Sequence, residues 1–557
     1  MYIKRLKINN FRGIRELNWK IKNKFICLIG PGDSTKTTIL DAIEWALYPY
    51  WYINVNDCDF YNCDVNSNIN IEITIGDLPE EFIKEESFGL YLRKDVENKN
   101  CDDEPDENEE SFITIRLEIN KYYEQEWTVI NNRLEGKKIS TKDRMRLSVG
   151  RIGEYFYKDF NLGRNSVLKK YGDDFENLDK TILNVYRKIK DDMDISDDED
   201  LKKIINNITE ATKEYAISPN DVFNAKIDIK NSELGYSNIN IYDGKVPVMA
   251  NGTGTKRLMS SAMNISKLNL NSIVLIDEIE YGLEPYRLRR LIRNLKDLKE
   301  NRQVIFTSHS PISIVEVNSS NIVICRSIHG KTECIDVPDD LQSTIRKLPE
   351  ALLSKKVIIT EGKTELGLIS SLDKKWTKDD KCIEYYGVSI VDGCGGTQAC
   401  ERAKELKKLG YDILVLIDSD EPNALNMAEE IKKSGIKVIS WDDYVSTEER
   451  IFLDMPKEKI QSLIDVCIEL YTEETIKQWI KLEINKDTSQ YVDIEKFLGE
   501  KEARKILGKV SKERKWFKRI DKGEILGDII REYYDLFDSN KDIIKKLEQV
   551  KEWSYES

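Results

Sequence analysis

Phe25-Ile26-Cys27-Leu28-Ile29-Gly30-Pro31-Gly32-Asp33-Ser34-Thr35-Lys36-Thr37-Thr38 decides how the first half of this chain is read. A short apolar run leads into a glycine-containing loop, and TTILDAIEWAL over Thr37–Leu47 then has helical spacing. Strand, loop and helix in that order give what a phosphate loop needs. Main-chain N–H groups and a helix N-terminus wrap the phosphates, Lys36 reaches the β and γ oxygens, and Thr37 offers its hydroxyl to Mg²⁺. Gly30, Asp33, Ser34, Thr35 and Thr38 complete the candidate ATP-binding set. Thr35 stands where such loops carry Gly directly before the Lys. A β-branched residue there disfavours positive φ and close backbone approach, so weakened nucleotide affinity or hydrolysis is expected.

A second buried run, Ser272-Ile273-Val274-Leu275-Ile276-Asp277-Glu278, delivers Asp277 to the metal shell of that nucleotide and Glu278 to a place where it can polarise a water. The next strand, Gln303–Phe306, leads into Thr307-Ser308-His309-Ser310-Pro311, which brings His309 toward the γ-phosphate. Asp57 and Asp59 are the polar candidates after the first helix, where no Gln is found. Arg287, Arg289, Arg290 and Arg293 follow on a helix whose spacing spreads them over more than one face, which reads as a solvated, partly ion-paired surface.

Val357-Ile358-Ile359-Thr360-Glu361-Gly362-Lys363-Thr364-Glu365 is a strand ending in a carboxylate, with a Gly that permits a tight turn into a helix. Some fifty residues later Ile413-Leu414-Val415-Leu416-Ile417-Asp418-Ser419-Asp420 ends in two more carboxylates. Three carboxylates at the carboxyl edges of neighbouring parallel strands make an oxygen-only site, suited to Mg²⁺ or Mn²⁺ rather than zinc. Zinc is further disfavoured by the rest of the chain: ten scattered cysteines form no CxxC pair, and His309 and His329 are the two histidines.

The 557 residues predict several domains, and the balance of 40% hydrophobic to 33% charged residues excludes a disordered or collagen-like chain. No apolar window approaches the length of a membrane span and no secretion signal is read at the N-terminus, so a cytoplasmic protein without membrane attachment is expected. A net charge of −14 argues against a simple nucleic-acid coat. Its distribution is uneven, however. Acidic runs lie at 95–110 and 191–200, whereas 501–522 hold ten Lys/Arg against three Asp/Glu, interleaved with Trp516 and Phe517, a pattern suited to phosphate contact.

The fold class expected is multidomain α/β. Residues 1–140 and 216–340 form one nucleotide-binding head, interrupted by a helical insert at 141–215; a parallel-sheet domain occupies 355–446 and a helical region 447–557. Within this frame strands are expected at Ala225–Lys230 and Ser237–Tyr242.

The first constellation resembles the ABC-type ATPase head of the RecF/SMC group, in which the phosphate loop and the Asp-Glu strand flank an inserted arm. Ala250-Asn251-Gly252-Thr253-Gly254-Thr255-Lys256 sits where such heads carry a signature motif acting across a dimer, and Gly282-Leu283-Glu284-Pro285 resembles their D-loop. The second constellation, with Asp392-Gly393-Cys394-Gly395-Gly396 as its glycine-rich turn, resembles the Toprim domain. Head followed by Toprim is similar to the OLD (overcoming lysogenization defect) family of nucleases, including the nuclease subunits of Gabija-type and retron-type anti-phage systems. Leu162-Gly163-Arg164-Asn165-Ser166 and Ser446-Thr447-Glu448-Glu449-Arg450-Ile451-Phe452 extend the resemblance.

The resemblance implies metal-dependent DNA cleavage regulated by ATP with Mg²⁺ at the head. Glu361, Asp418 and Asp420 hold one Mg²⁺ or Mn²⁺. Glu365 and Glu448 hold a second, the alternatives being a solvated first-turn carboxylate for Glu365 and a helix cap for Glu448. A C-terminal Lys, Lys515 or Lys518, contacts the scissile phosphate. It further implies DNA as partner, a homodimer or higher oligomer through the insert, and a helicase-like or retron partner. A RecF/SMC-like repair ATPase with an inactive Toprim domain, a primase or topoisomerase, and a non-catalytic sensor or scaffold are the competing readings.

Overall fold

Alternation and burial, rather than helix propensity, organise the N-terminal unit. The computed structural model describes residues 1–94, 105, 110–147, 149–153, 159–162, 168, 178, 181, 197–213, 215, 223–227, 239–267, 272–298, 302–378, 382–484 and 501–556. They divide into two units, Met1–Gln342 and Ser343–Ser557. Most of the acidic run at 95–110, residues 191–196 of the second acidic cluster, and 163–166 lie outside the described residues, as does much of the expected insert.

In the first unit, strands Lys137–Lys138, Gln125–Ile130, Ile113–Ile119, Ile69–Gly76, Tyr2–Phe11 and Ile14–Lys20 lie side by side as an antiparallel half-sheet. Their period-two pattern sends Ile3, Leu6, Ile8, Ile71, Ile73, Ile115 and Leu117 inward against Ile39, Leu40 and Ile43 of helix Lys36–Ala46. The sheet continues through Lys331–Asp336, Ile322–Ile328, Phe25–Ile29, Gln303–Thr307 and Ile273–Ile276 to Val149–Ile152. From Ile322–Ile328 onward these strands run parallel. The phosphate-loop strand and the Asp277 strand thus flank Gln303–Thr307, and all three are buried along their length, as expected of parallel strands covered on both faces.

Val149–Ile152 corrects the expectation that 141–215 is helical. Four residues including Gly150 and Arg151 are too short to show a period, and the segment is extended because Ile273–Ile276 offers it an edge, residue for residue. Further on, helix Glu199–Lys213 and the strands Phe223–Ile227 and Ile239–Asp243 share a core with Met259 and Met263 of helix Thr253–Lys267.

The second unit has a parallel sheet in the order Val388–Asp392, Lys356–Thr360, Asp412–Ile417, Lys437–Ser440, with helices Lys363–Lys378, Gly396–Lys408 and Pro422–Lys433 as crossovers. Helices Thr447–Asp454, Ile460–Tyr471, Glu473–Ile484, Lys501–Glu513, Ile520–Tyr533 and Asp542–Tyr555 complete it. Trp516 and Phe517 are fully buried in that helical core, which corrects their reading as aromatics interleaved for phosphate contact. No described helix is long and apolar enough to cross a membrane.

Candidate functional site

The phosphate loop of the first unit closes on its own lysine. Lys36 donates to the Gly30 carbonyl at 3.1 Å, the Pro31 carbonyl at 2.9 Å and Ser34 Oγ at 2.8 Å, and burial lowers its pKa. Thr35 adopts φ +64°, the left-handed conformation that a β-branched residue resists, and its hydroxyl meets Thr332 Oγ1 at 3.1 Å. Thr37 Oγ1 donates to Asp277 Oδ1 at 3.2 Å and Thr307 Oγ1 to the same oxygen at 2.7 Å.

Sequence reasoning missed two residues of this site. Arg151, on the overlooked edge strand, bridges Asp277 Oδ2 at 2.9 Å and Asp41 Oδ1 at 3.0 Å. Glu280 accepts from Ser308 Oγ at 2.8 Å and from the His309 N–H at 2.5 Å, and so holds the loop that carries His309. Partial burial and the nearby Lys36 charge lower the His309 pKa, which keeps the imidazole neutral around pH 7. Glu278, at φ +44°, follows Asp277, and its N–H donates to Thr307 Oγ1 at 2.7 Å.

Other head residues singled out by the sequence have structural partners. Asp59 accepts from Arg12 Nε at 2.9 Å and Asp57 from the Tyr123 hydroxyl at 2.6 Å. Gly254 of the signature-like segment lies so close to the Gly282 carbonyl that a Cβ would come within 2.4 Å of it, which ties this segment to the D-loop-like turn. On the following helix Arg293 pairs with Glu316 at 2.6 Å and Arg287 with Glu284 at 3.3 Å.

In the second unit Glu361 leaves strand Lys356–Thr360 with its N–H on the Leu416 carbonyl of the neighbouring strand. Its Oε2 accepts the Asp418 N–H at 2.9 Å. A Cβ on Gly396 would stand 3.1 Å from that oxygen, so the glycine turn is what lets the carboxylate lie against the next helix. Burial, with the charges of Glu365 and Asp420 adding, pushes Glu361 up to about 7 against the pull of the Asp418 N–H and Lys518. Asp418 is 3% exposed and takes both the Thr447 N–H, at 2.9 Å, and the Thr447 hydroxyl, at 2.7 Å, on Oδ1. Burial and then Glu365, Glu361 and Glu448 raise its pKa strongly.

Glu365 and Glu448 are 0% and 1% exposed. Glu365 is therefore no solvated first-turn residue; its Oε2 accepts the Gly362 N–H at 2.9 Å. Glu448 is not the cap of its helix either, since Ser446 and Glu449 form that capping box. Glu365 Oε1 and Glu448 Oε2 are buried without a hydrogen-bond partner.

Lys518 reaches this group, with Nζ 3.7 Å from Glu448 Oε1. Burial works against its charge, yet Glu448, Glu365, Asp418 and Glu361 together raise its pKa. Its place follows from glycine packing. Gly367 and Gly523 let helices Lys363–Lys378 and Ile520–Tyr533 cross in backbone contact, and Thr364 Oγ1 donates to the Phe517 carbonyl at 3.0 Å. Lys515 sits exposed at φ +54° in the break before that helix, whereas Lys512 pairs with Asp420 Oδ2.

Among the described residues no three His, Cys, Asp or Glu side chains stand as a ready-made ligand set, because Asp420 faces Lys512 and Asp418 faces Thr447. The donor chemistry nevertheless fits a hard divalent cation: all the donors are carboxylate oxygens, two of them buried and unsatisfied.

Comparison with known proteins matches residues 1–314 to the AAA ATPase domain family. Residues 352–420 match the overcoming lysogenization defect protein-like TOPRIM domain. The Old nuclease of Escherichia phage P2 is 25% identical over 194 residues, covering 30% of this chain and 33% of that protein. ABC transporter A family member 9 of Dictyostelium discoideum is 31% identical over 117 residues, covering 21% of this chain and 13% of that protein. The chain thus spans a third or less of the length of these curated relatives. Among solved structures, an Smc head bound to the C-winged helix domain of ScpA has a TM-score of 0.39 at 15% identity, covering 62% of this chain and 100% of that one. An Smc head with an extended coiled coil, bound to the C-terminal domain of ScpA derived from Pyrococcus furiosus, has a TM-score of 0.39 at 14% identity, covering 63% and 99%. With the ATPase match spanning more than half of its length, the chain belongs to the AAA ATPase domain family, and its carboxylate-bearing sheet lies in the segment similar to the overcoming lysogenization defect protein-like TOPRIM domain.

Proposed function

We propose that this protein is a divalent-metal-dependent DNA endonuclease whose head binds ATP as a regulator. The observation that carries the reading is the buried carboxylate group of the second unit, with its two unsatisfied oxygens and the lysine beside it. Glu361, Asp418 and Asp420 would hold one Mg²⁺ or Mn²⁺, and Glu365 and Glu448 a second. Bound ions supply water activation and charge neutralisation at the leaving oxygen. Lys518 is assigned to the scissile phosphate, because it is the cation within reach of Glu448 while Lys515 is exposed. In the head, Lys36, Thr37 and Asp277 would hold ATP with Mg²⁺, Glu278 and His309 would act on the γ-phosphate side, and Thr35, held at φ +64°, would slow turnover.

The family resemblance supports a cytoplasmic role in anti-phage defence, as a homodimer or higher oligomer assembled through 141–215, with a helicase-like or retron partner. One observation favours the competing reading of a repair ATPase with an inactive Toprim domain: Asp420 is taken by Lys512.

Cleavage of circular plasmid in Mg²⁺ or Mn²⁺, with and without ATP, decides between the two. Nicking or linearisation lost in both Glu361→Ala and Asp418→Ala is expected. Cleavage that survives both substitutions, or no cleavage by a native protein that binds neither ion, overturns the nuclease reading. Phosphate release assayed in parallel should be slow. Robust turnover abolished by Lys36→Ala would make ATP a fuel instead.

A further inference from the structure

Two cysteines of the first unit stand together on its surface. Asp57–Asp59 and Tyr61–Cys63 are consecutive short helical turns, in which the Phe60 N–H donates to the Asp57 carbonyl at 3.1 Å and the Cys63 N–H to the Phe60 carbonyl at 2.9 Å. Phe60 anchors them: it is 1% exposed and bridges to Phe11 at the end of the first strand. Asn62 at φ +53° and Cys63 at φ +57° then turn the chain back through the left-handed region, which non-glycine residues resist. The reversal sets the Cys63 thiol against Cys58, which helps it keep its proton and raises its pKa. Both cysteines are exposed.

Exposure separates this pair from a second one. Cys325 and Cys334 face each other across two strands with their sulfurs 4.0 Å apart, but Cys325 is fully buried, and the Cys334 thiol is pushed well above its ordinary range by Cys325 and by burial. Buried thiols of this kind are inert. Cys394 is exposed as well, but its sulfur lies beside the Asp392 carbonyl. The turn that carries Cys58 also bears on the nucleotide side of the head. Asp59 Oδ1 accepts from Arg12 Nε at 2.9 Å, Arg12 Nη1 donates to Asp41, and Arg151 joins Asp41 at 3.0 Å to Asp277 at 2.9 Å.

We propose that Cys58 and Cys63 are a modification site, closed to an intramolecular disulfide by exchange with a low-molecular-weight disulfide such as oxidised glutathione, and that the closed form holds ATP with Mg²⁺ more weakly. Cys58, as thiolate, attacks one glutathione sulfur and expels the other as thiolate. Cys63 then gives up its proton, attacks Cys58 Sγ and expels the second glutathione. Two protein thiols lose two hydrogens and two glutathione thiols gain them. Drawing the sulfurs to a bond of about 2 Å moves the Asp57–Asp59 turn toward Cys63 and off Arg12. Arg12 then neutralises Asp41 by itself, and Arg151 is left to Asp277, where it competes with Mg²⁺. That ATP is the ligand affected rests on the reading of the head under Proposed function; the disulfide does not.

The test treats the reduced full chain with graded ratios of reduced to oxidised glutathione and reads tryptic peptides by mass spectrometry without reduction. Cys58 and Cys63 share the peptide spanning residues 37–84, which should become lighter by two hydrogens, while Cys325 and Cys334 stay reduced. In C63S the reaction should stop with one glutathione on Cys58. Equilibrium binding of a fluorescent ATP analogue with Mg²⁺ should be about fivefold weaker after oxidation and restored by dithiothreitol, a reversal read on the native chain alone. The C58S/C63S variant, treated alike, should show no such change. A 37–84 peptide that stays reduced, a linkage of either cysteine to any other, or an oxidised chain that binds the analogue within twofold of the reduced one overturns the proposal. If the reduced native chain binds no ATP analogue yet the peptide loses its two hydrogens, the disulfide stands and the ATP reading of the head falls.

Discussion

Asp277 in the first unit and Glu365 and Glu448 in the second are all buried carboxylates, but they are satisfied differently. Asp277 accepts from Thr37 and Thr307 on one oxygen and from Arg151 on the other. Glu365 and Glu448 each keep an oxygen with no hydrogen-bond partner, in a group of carboxylates that Lys518 offsets only in part. A buried charge without compensation costs several kcal/mol, so the first carboxylate is stable as it stands, and the second pair is where the proposed cation would relieve that cost. The comparison teaches that burial alone does not separate the two centres; the unsatisfied oxygens do.

The largest expected effect comes from removing Lys518, the cation beside Glu448. Lys518→Ala should destabilise the metal-free chain by about 3 kcal/mol, and Mg²⁺ should restore most of the loss. Denaturant unfolding with and without Mg²⁺ measures both, and cleavage should fall by about 10² to 10³. Glu448→Gln should act the other way. Relief of repulsion stabilises the metal-free chain by about 2 kcal/mol and cancels the gain from Mg²⁺, which the same unfolding series reads. If instead Glu448→Gln destabilises as much as Asp277→Ala does, the contrast between the two centres is wrong.

A third, smaller effect is set by pH. Glu361 is pushed up to about 7, so between the ordinary carboxylate range and neutrality the folded chain holds a proton that the unfolded chain has released. Stability of the metal-free chain is therefore greatest at the acid end of that window and is lost as pH rises toward 7. Metal affinity moves oppositely, because binding displaces the proton: it should rise about tenfold from pH 5.5 to 6.5 and flatten above about 7.5. Calorimetric Mn²⁺ titrations across this range check it, with Glu361→Gln weakening the dependence, to which the raised Asp418 and Glu365 also contribute. Thr35→Gly is the smallest, an expected gain of about 1 kcal/mol, or roughly fivefold, in ATP affinity from a residue that adopts φ +64° without strain. Equilibrium binding of a fluorescent ATP analogue measures it.

The parts of this molecule that were legible in the sequence are buried runs ending in a chemical group. Phe25–Ile29 before Gly30, Ile273–Ile276 before Asp277 and Asp412–Ile417 before Asp418 show as apolar strands with a motif at the carboxyl end. Arg151 was illegible because its four-residue strand has no period of its own and exists only as the edge beside Ile273–Ile276. Glu280 sits two residues beyond the acidic pair, and only the fold reveals that it holds the His309 loop. Trp516 and Phe517 lie within a basic run and read as surface residues, yet they pack inward because the chain breaks at Lys515 between two helices. That same break turns Lys518 toward Glu448 and leaves Lys515 exposed, a distinction that no count of charges provides.

The most direct test of the central claim is Mn²⁺ binding by the full chain without nucleotide, followed by calorimetry and by thermal shift. The account predicts saturable binding with a raised thermal midpoint, lost in the Glu361→Gln/Asp418→Asn double variant and kept in Lys36→Ala. Binding of equal affinity and stoichiometry in the double variant, or none in the native chain, would contradict it.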